Sequence, residues 1–177
     1  MDLKLILIAI ALAIVLAILA HKKERVLPEL LLAIAIAGLW TWYFPYQYVG
    51  KNYYLMSGIN AYSFTLWFAG LVWLSSVYRA MTMQYRLLIA SILYWLVLAG
   101  GEAYAYHVLG IRLNSNYPSL FGLGIIHAPL GVKVFYILAG PLYLTTVELM
   151  YRAHGFSKTK KNKIKRKVRE LLFSRIN

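Results

Sequence analysis

The chain has 177 residues, of which 61% are apolar or aromatic and 14% are charged, and its 19 Lys and Arg outnumber its 6 acids to give a net charge of +13. A soluble domain carries about 25% charged residues, so this composition excludes an ordinary water-soluble globule. The absence of Cys excludes disulfides, thiolate metal sites, iron–sulfur clusters and Cys nucleophiles.

A helix needs about 20 apolar residues to cross a hydrocarbon core of about 30 Å. The first apolar run, Leu5–Ala20, is uninterrupted. Only Lys4 precedes it and His21-Lys22-Lys23-Glu24-Arg25 follows, the charge order of a retained anchor rather than a cleaved signal peptide. A second run extends from Leu30 to about Val49 and ends in Trp40, Trp42, Tyr43, Phe44, Tyr46 and Tyr48, rings expected in an interfacial aromatic belt. The third is Ile59–Tyr78 and the fourth Leu87 to about Leu109. The last stretch, Leu120–Met150, is divided by Pro129. Leu120–Ala128 reads as an interfacial or re-entrant segment and Leu130–Met150 as a span kinked at Pro141, which membrane helices tolerate. The expected fold is therefore all-α: a polytopic bundle of five transmembrane helices over residues 1–152, with four as the alternative count.

Residues 153–177 differ in composition. In Ser157–Asn177 the basic side chains include Lys160, Lys161, Lys163, Lys165, Arg166, Lys167 and Arg169, while Ile164, Val168, Leu171, Leu172 and Ile176 fall on one helical stripe. This reads as a basic amphipathic helix on the anionic head groups of a lipid bilayer. With a single Phe for base stacking and a membrane tether, the tail lacks a nucleic-acid footprint.

Lys and Arg divide fifteen to three between the two sides of such a bundle, Lys133 lying within a span. The positive-inside rule then puts the N-terminus outside and the C-terminus in the cytoplasm of a multi-pass cell-membrane protein.

Ionisable residues within spans are costly and mark functional sites by default. Glu29 follows Pro28 in a first helical turn, where a carboxylate suits the helix dipole, and Glu148 stands four residues before Arg152, a favourable pair. Glu102 lies deep in the fourth run, behind Gly100-Gly101, which would let another backbone approach. Tyr106 is one turn further on the same face, and His107 is about 140° round the helix. His127 and Lys133 flank Pro129. Glu102, His127, Lys133, Arg112, Tyr104, Tyr106 and Tyr117 are candidates for one polar pocket beneath the outer surface. Two readings stay open for Glu102: a structural ion pair with Lys133 or His127, or an acid with a chemical role. Two His and one Glu reach only the minimum for a metal, and neither metal nor cofactor is expected.

The stretch Glu102–Glu148 resembles the membrane carotenoid-modifying family of small lycopene cyclases and carotenoid hydratases. The likeness runs through Glu102, Leu109-Gly110-Ile111, Tyr117-Pro118, Gly122, Pro129-Leu130, Phe135-Tyr136 and Thr146-Val147-Glu148. In that family an adjacent acid pair handles the proton added to and removed from a terminal isoprene double bond. Here Gly131-Val132 stands at that place, which puts ordinary cyclisation in doubt and leaves Glu102 as the surviving acid.

The resulting expectation is an intramembrane enzyme acting on an isoprenoid or similar lipid. Glu102 would be the general acid, and His127 or His107 would take the proton back. Tyr104, Tyr106 and Tyr117 would face a carbocation. The rival is a non-catalytic subunit among other membrane subunits, with a small transporter third.

Overall fold

The computed structural model describes residues 2–21, 26–56 and 58–153. The basic tail, with Lys160, Lys161, Lys163, Lys165, Arg166, Lys167 and Arg169, lies outside the described residues, as do Lys22, Lys23 and Arg25. Five helices account for most of the described chain: α1 (Leu3–His21), α2 (Leu27–Tyr43), α3 (Ala61–Ala80), α4 (Arg86–His107) and α5 (Leu130–Ala153). Strands β1 (Tyr54–Met56) and β2 (Ile59–Asn60) form a short antiparallel ribbon before α3. Three stretches, Leu3–Ala20, Arg86–His107 and Leu130–Ala153, are long and apolar enough to cross a membrane, and α2 is a shorter apolar helix.

The exposed side chains are the ones a soluble protein would bury. Leu16 on α1, Leu31 and Leu39 on α2, Leu88 and Leu96 on α4 and Leu142 on α5 are all exposed, whereas Thr41, Ser63, Thr65, Ser75 and Ser91 are buried. Such an exposed apolar surface is compatible with a membrane, and small polar residues let helices approach and hydrogen-bond inside a bundle. Helix α3, which carries three of the buried hydroxyls, is the hub and packs against α1, α2 and α4.

Helix ends follow local chemistry. α2 starts with Pro in its first turn and Glu29 beside it. It stops at Tyr43 because Phe44 precedes Pro45, which disfavours helical geometry at that residue; Phe44 is extended at φ −113°, ψ 95°. The second apolar run is thus shorter as helix than its composition suggests, and residues 44–53 turn back as a loop. Asn60 caps α3 by accepting from the Tyr62 and Ser63 amides at 3.0 and 3.3 Å. α4 ends where Gly110, at φ +65°, lets the Ile111 amide reach back to the Ala105 carbonyl at 2.8 Å.

Helices α4 and α5 interlock at Pro141. A proline has no N–H, so it orphans the carbonyl four residues before it. That carbonyl, of Ile137, accepts instead from Trp95 Nε1 at 2.8 Å. One residue earlier, the Tyr94 hydroxyl enters the helical ladder: it donates to the Tyr136 carbonyl at 2.6 Å. The expected kink site is therefore a docking point for the neighbouring helix.

At one end of the bundle, three segments form a common cap. Lys4 Nζ donates to the Val49 and Lys51 carbonyls at 3.1 and 2.8 Å. The Val49 amide donates to the Arg112 carbonyl, and the Asn114 amide to the Gln47 carbonyl, both at 2.8 Å. Tyr53 donates to Asp2 at 2.9 Å. At the other end Arg79 pairs with Glu29 at 3.1 Å, so Glu29 has the structural role its position suggested. The chain divides into two compact units, residues 1–144 and 145–177. Within the second, Glu148 and Arg152 form the expected pair, at 3.0 Å.

Candidate functional site

A cavity of about 360 Å³ lies among α1, α3 and α4, beneath the cap. Its body is apolar, with Leu7, Leu66, Leu71, Val97 and Leu98 on the wall. Two polar places interrupt that surface.

The first is Glu102, the only carboxyl on the wall among the described residues. Its surroundings are hydroxyls and indoles in a directional chain. An indole N–H only donates, so Trp40 Nε1 at 2.8 Å and Trp67 Nε1 at 3.3 Å both give their hydrogen to the Tyr46 hydroxyl. With both lone pairs taken, Tyr46 donates its own hydrogen to Tyr136 at 3.2 Å. The Tyr136 hydroxyl, which accepts from Tyr46, stands beside the Glu102 carboxyl with its own hydrogen free to turn toward it. The chain ends at Glu102, and such chains polarise along their length. Burial pushes the Tyr46 hydroxyl up to about 12 despite its three hydrogen bonds, so it stays neutral and keeps its hydrogen. Tyr46 and Tyr136 are 1% and 4% exposed.

Asn60 secures the loop that carries Tyr46. Its side-chain amide donates to the Tyr46 carbonyl at 3.1 Å and to Asn52 at 3.0 Å. Asn52 in turn holds Tyr48, accepting from its amide at 3.0 Å and donating to its carbonyl at 2.8 Å. The Tyr48 hydroxyl pairs with Ser63 at 3.0 Å.

The second polar place is a stack at the cap end. The His127 ring lies 3.7 Å from that of Tyr106 at 10°, and the Arg112 guanidinium stands 4.5 Å from the Tyr106 centroid. Burial lowers the affinity of His127 for a proton, and its neighbours His107, Lys133 and Arg112 lower it further, so its imidazole is neutral near pH 7. Ile126, just before it, is a buried β-branched residue at φ +50°, a conformation that costs about 1–3 kcal/mol and that clusters at functional sites.

Glu102, His127, Arg112, Tyr104 and Tyr106 share this cavity wall. Three expected members stand apart. His107 turns away to the Gly124 carbonyl at 2.7 Å. Lys133 is buried and donates to the Pro118 and Ser119 carbonyls at 2.7 and 3.2 Å. It therefore holds the α4–α5 loop rather than Glu102, and Glu102 has no ion pair among the described residues. Tyr117 lines a separate pocket in the same loop. Leu120–Ala128, expected as an interfacial or re-entrant segment, is mostly irregular backbone with one 3₁₀ turn, Leu120–Gly122, and positive φ at Phe121, Gly122, Gly124 and Ile126. A Cβ at Gly100 or Gly101 would meet nothing within 4 Å, so these glycines admit no neighbouring backbone, and Gly101 instead widens the cavity.

Tyr46, Tyr48, Tyr136 and Asn60 were not candidate site residues in the sequence, where Tyr136 entered only through the family likeness. The first two read as interfacial rings but turn inward, while Trp42 and Tyr43 are the exposed ones. Only Asn60 left a signal, as a capping residue type just before an apolar run. No family model, curated protein or solved structure matches this chain.

Proposed function

We propose that this chain is a multi-pass membrane enzyme that takes one end of a polyisoprenoid or similar lipid chain into the cavity and protonates it with Glu102. The observation that carries this reading is a carboxyl that, among the described residues, stands alone on an apolar wall, pairs with no cation and lies at the end of the Tyr46–Tyr136 chain. With the Tyr136 hydrogen turned toward one carboxyl oxygen, the other presents a proton to the cavity. Addition of that proton to a double bond leaves a carbocation on the lipid. The neutral imidazole of His127 on the same wall accepts a proton from a neighbouring carbon, restores a double bond, and returns the proton to Glu102. Aromatic faces on the wall stabilise the cation.

The bundle spans a cell membrane five times, with the N-terminus outside, the C-terminus in the cytoplasm and the basic tail on anionic lipid. The charge split supports this, as does the gathering of Lys4, Lys51 and Arg112, the three cations assigned to the outer side, in one cap. The family likeness around Glu102 is in keeping with an isoprenoid substrate, and the absence of its acid pair points to chemistry run by one carboxyl and one imidazole.

The test fills the cavity. Gly70 and Gly101 both line it and have open space at the Cβ, so Gly70→Leu and Gly101→Leu occupy the space without a clash. Purified wild type is expected to retain isoprenoid lipids detectable by mass spectrometry, and either variant to lose them at an unchanged melting temperature. Equal retention by the filled variants would overturn the reading.

A further inference from the structure

A second, smaller pocket of about 210 Å³ lies in the cap, lined by Arg112, Asn114, Ser115, Asn116, Tyr117 and others. It is the more polar of the two: amides, hydroxyls and a guanidinium stand beside Val49 and Leu113. The two cavities have Tyr106, Arg112, Leu113 and His127 in common, so these residues form a shared wall between an apolar space and a polar one.

Arg112 on that wall has no acidic partner among the described residues; its guanidinium lies over the Tyr106 ring at 4.5 Å. Stacking leaves the edge of the fork, with its N–H donors, available to a planar or tetrahedral oxyanion. Beside it, the buried Nδ1 of His127 has no hydrogen-bond partner, although a buried polar atom is ordinarily satisfied. An unpaired cation and an unsatisfied ring nitrogen thus meet where the polar and apolar spaces adjoin. The side chains of Asn114, Ser115 and Asn116 add neutral donors around the same pocket, and no carboxylate among the described residues lines it.

We propose that the two cavities are two halves of one site for an anionic amphiphile: an oxyanion head group, phosphate or carboxylate, sits on Arg112 in the cap pocket, and its single apolar chain runs past His127 into the cavity that holds Glu102. The proposal rests on the reading of that cavity as a lipid site and adds the charge at the other end of the ligand. Arg112 anchors the head and so sets which double bond of the chain lies at Glu102.

The experiment is calorimetric binding to the full chain held in amphipol. The probes are dodecyl phosphate, dodecanoate, dodecanol and inorganic phosphate. The wild type is expected to bind one of the two charged probes at least about tenfold more tightly than dodecanol or inorganic phosphate. Arg112→Gln is expected to remove that advantage, a loss of about tenfold or more for a charged hydrogen-bonded contact, and to leave dodecanol binding unchanged. Arg112→Lys keeps the charge without the fork and is expected to recover part of it. Melting temperatures within error of wild type establish that the variants fold, and the unvaried comparison among the four probes tests the proposal even where they do not. Inorganic phosphate that binds as tightly as either amphiphile, or Arg112→Gln with wild-type affinity for both charged probes, would overturn the head-group site while the Glu102 reading stands. Failure of all three chain-bearing probes to bind would overturn the lipid cavity itself.

Discussion

The α4–α5 lock at Pro141 gives a sharp test of the packing. A methyl group added at Gly140 would fall on the Tyr94 ring, against Cδ1, Cγ and Cε1, the last at 2.7 Å. Real Cβ contacts under 3.0 Å essentially do not occur, so something must move. The struck atoms are not the loose end of a chain. The ring is 8% exposed and its hydroxyl is tied to the Tyr136 carbonyl at 2.6 Å. Overpacking of this kind costs about 1–3 kcal/mol, and displacement of the Tyr94 hydroxyl adds about 0.5–1.5 kcal/mol. Relief of the glycine propensity penalty returns about 1 kcal/mol. Gly140→Ala is therefore expected to destabilise by about 1–3 kcal/mol, which lowers the melting temperature by roughly 3–10 °C for a chain of this size. Thermal unfolding in detergent, followed by intrinsic fluorescence, reads the shift. Gly100→Ala is the control: its Cβ meets nothing within 4 Å, and it is expected to be neutral or stabilising by up to about 1 kcal/mol. Tyr94→Ala placed on Gly140→Ala should cost less than the sum of the two, because both act on one contact. A Gly140→Ala protein that melts at or above the wild-type temperature would refute the lock.

Three further outcomes follow from the cavity wall and the cap. Asn60→Ala removes a helix cap and strands the buried polar groups it served, a loss of about 2–4 kcal/mol by thermal unfolding; a neutral result would mean the Tyr46 loop is held without it. His127 is expected to titrate below the ordinary His value of about 6.5, by nuclear magnetic resonance of its ring protons. Between that lowered value and about 6.5 the unfolded chain binds more protons than the folded one, so stability falls as pH drops through this window and levels off below it; stability that rises on acidification there would contradict the burial of a neutral ring. Lys133→Met releases the loop at Pro118 and Ser119 and is expected to destabilise the protein. Its effect should add to that of Glu102→Gln within about 0.5 kcal/mol, whereas rescue of one by the other would restore the ion pair that the geometry replaces.

Much of the architecture was legible because long apolar helices announce themselves by composition. All five runs contain a helix, Glu29 lies in a first helical turn, Glu148 pairs with Arg152, and Tyr106 shares a cavity wall with Glu102. What stayed hidden lies in segments without period. Pro45 ends α2 early, and nothing in Phe44–Tyr48 distinguishes a tyrosine that faces an interface from one that folds under a cap. The neighbour of Glu102 is Tyr136 on another helix, and no spacing relates two residues joined only by the packing of α4 on α5. Lys133 was misjudged for a related reason. A buried cation needs oxygen ligands, but sequence does not say whether a carboxylate or two loop carbonyls will supply them.

The central claim is that Glu102 delivers a proton to a lipid double bond, and solvent deuterium tests it most directly. Wild-type and Glu102→Gln proteins are reconstituted in vesicles containing a polyisoprenoid in heavy water, and carbon-bound deuterium in the recovered lipid is followed by mass spectrometry. The account predicts time-dependent incorporation by the wild type, slowed about 100-fold or more in Glu102→Gln, with both proteins melting at closely similar temperatures. Incorporation by Glu102→Gln at the wild-type rate, or none above background by the wild type, would contradict it.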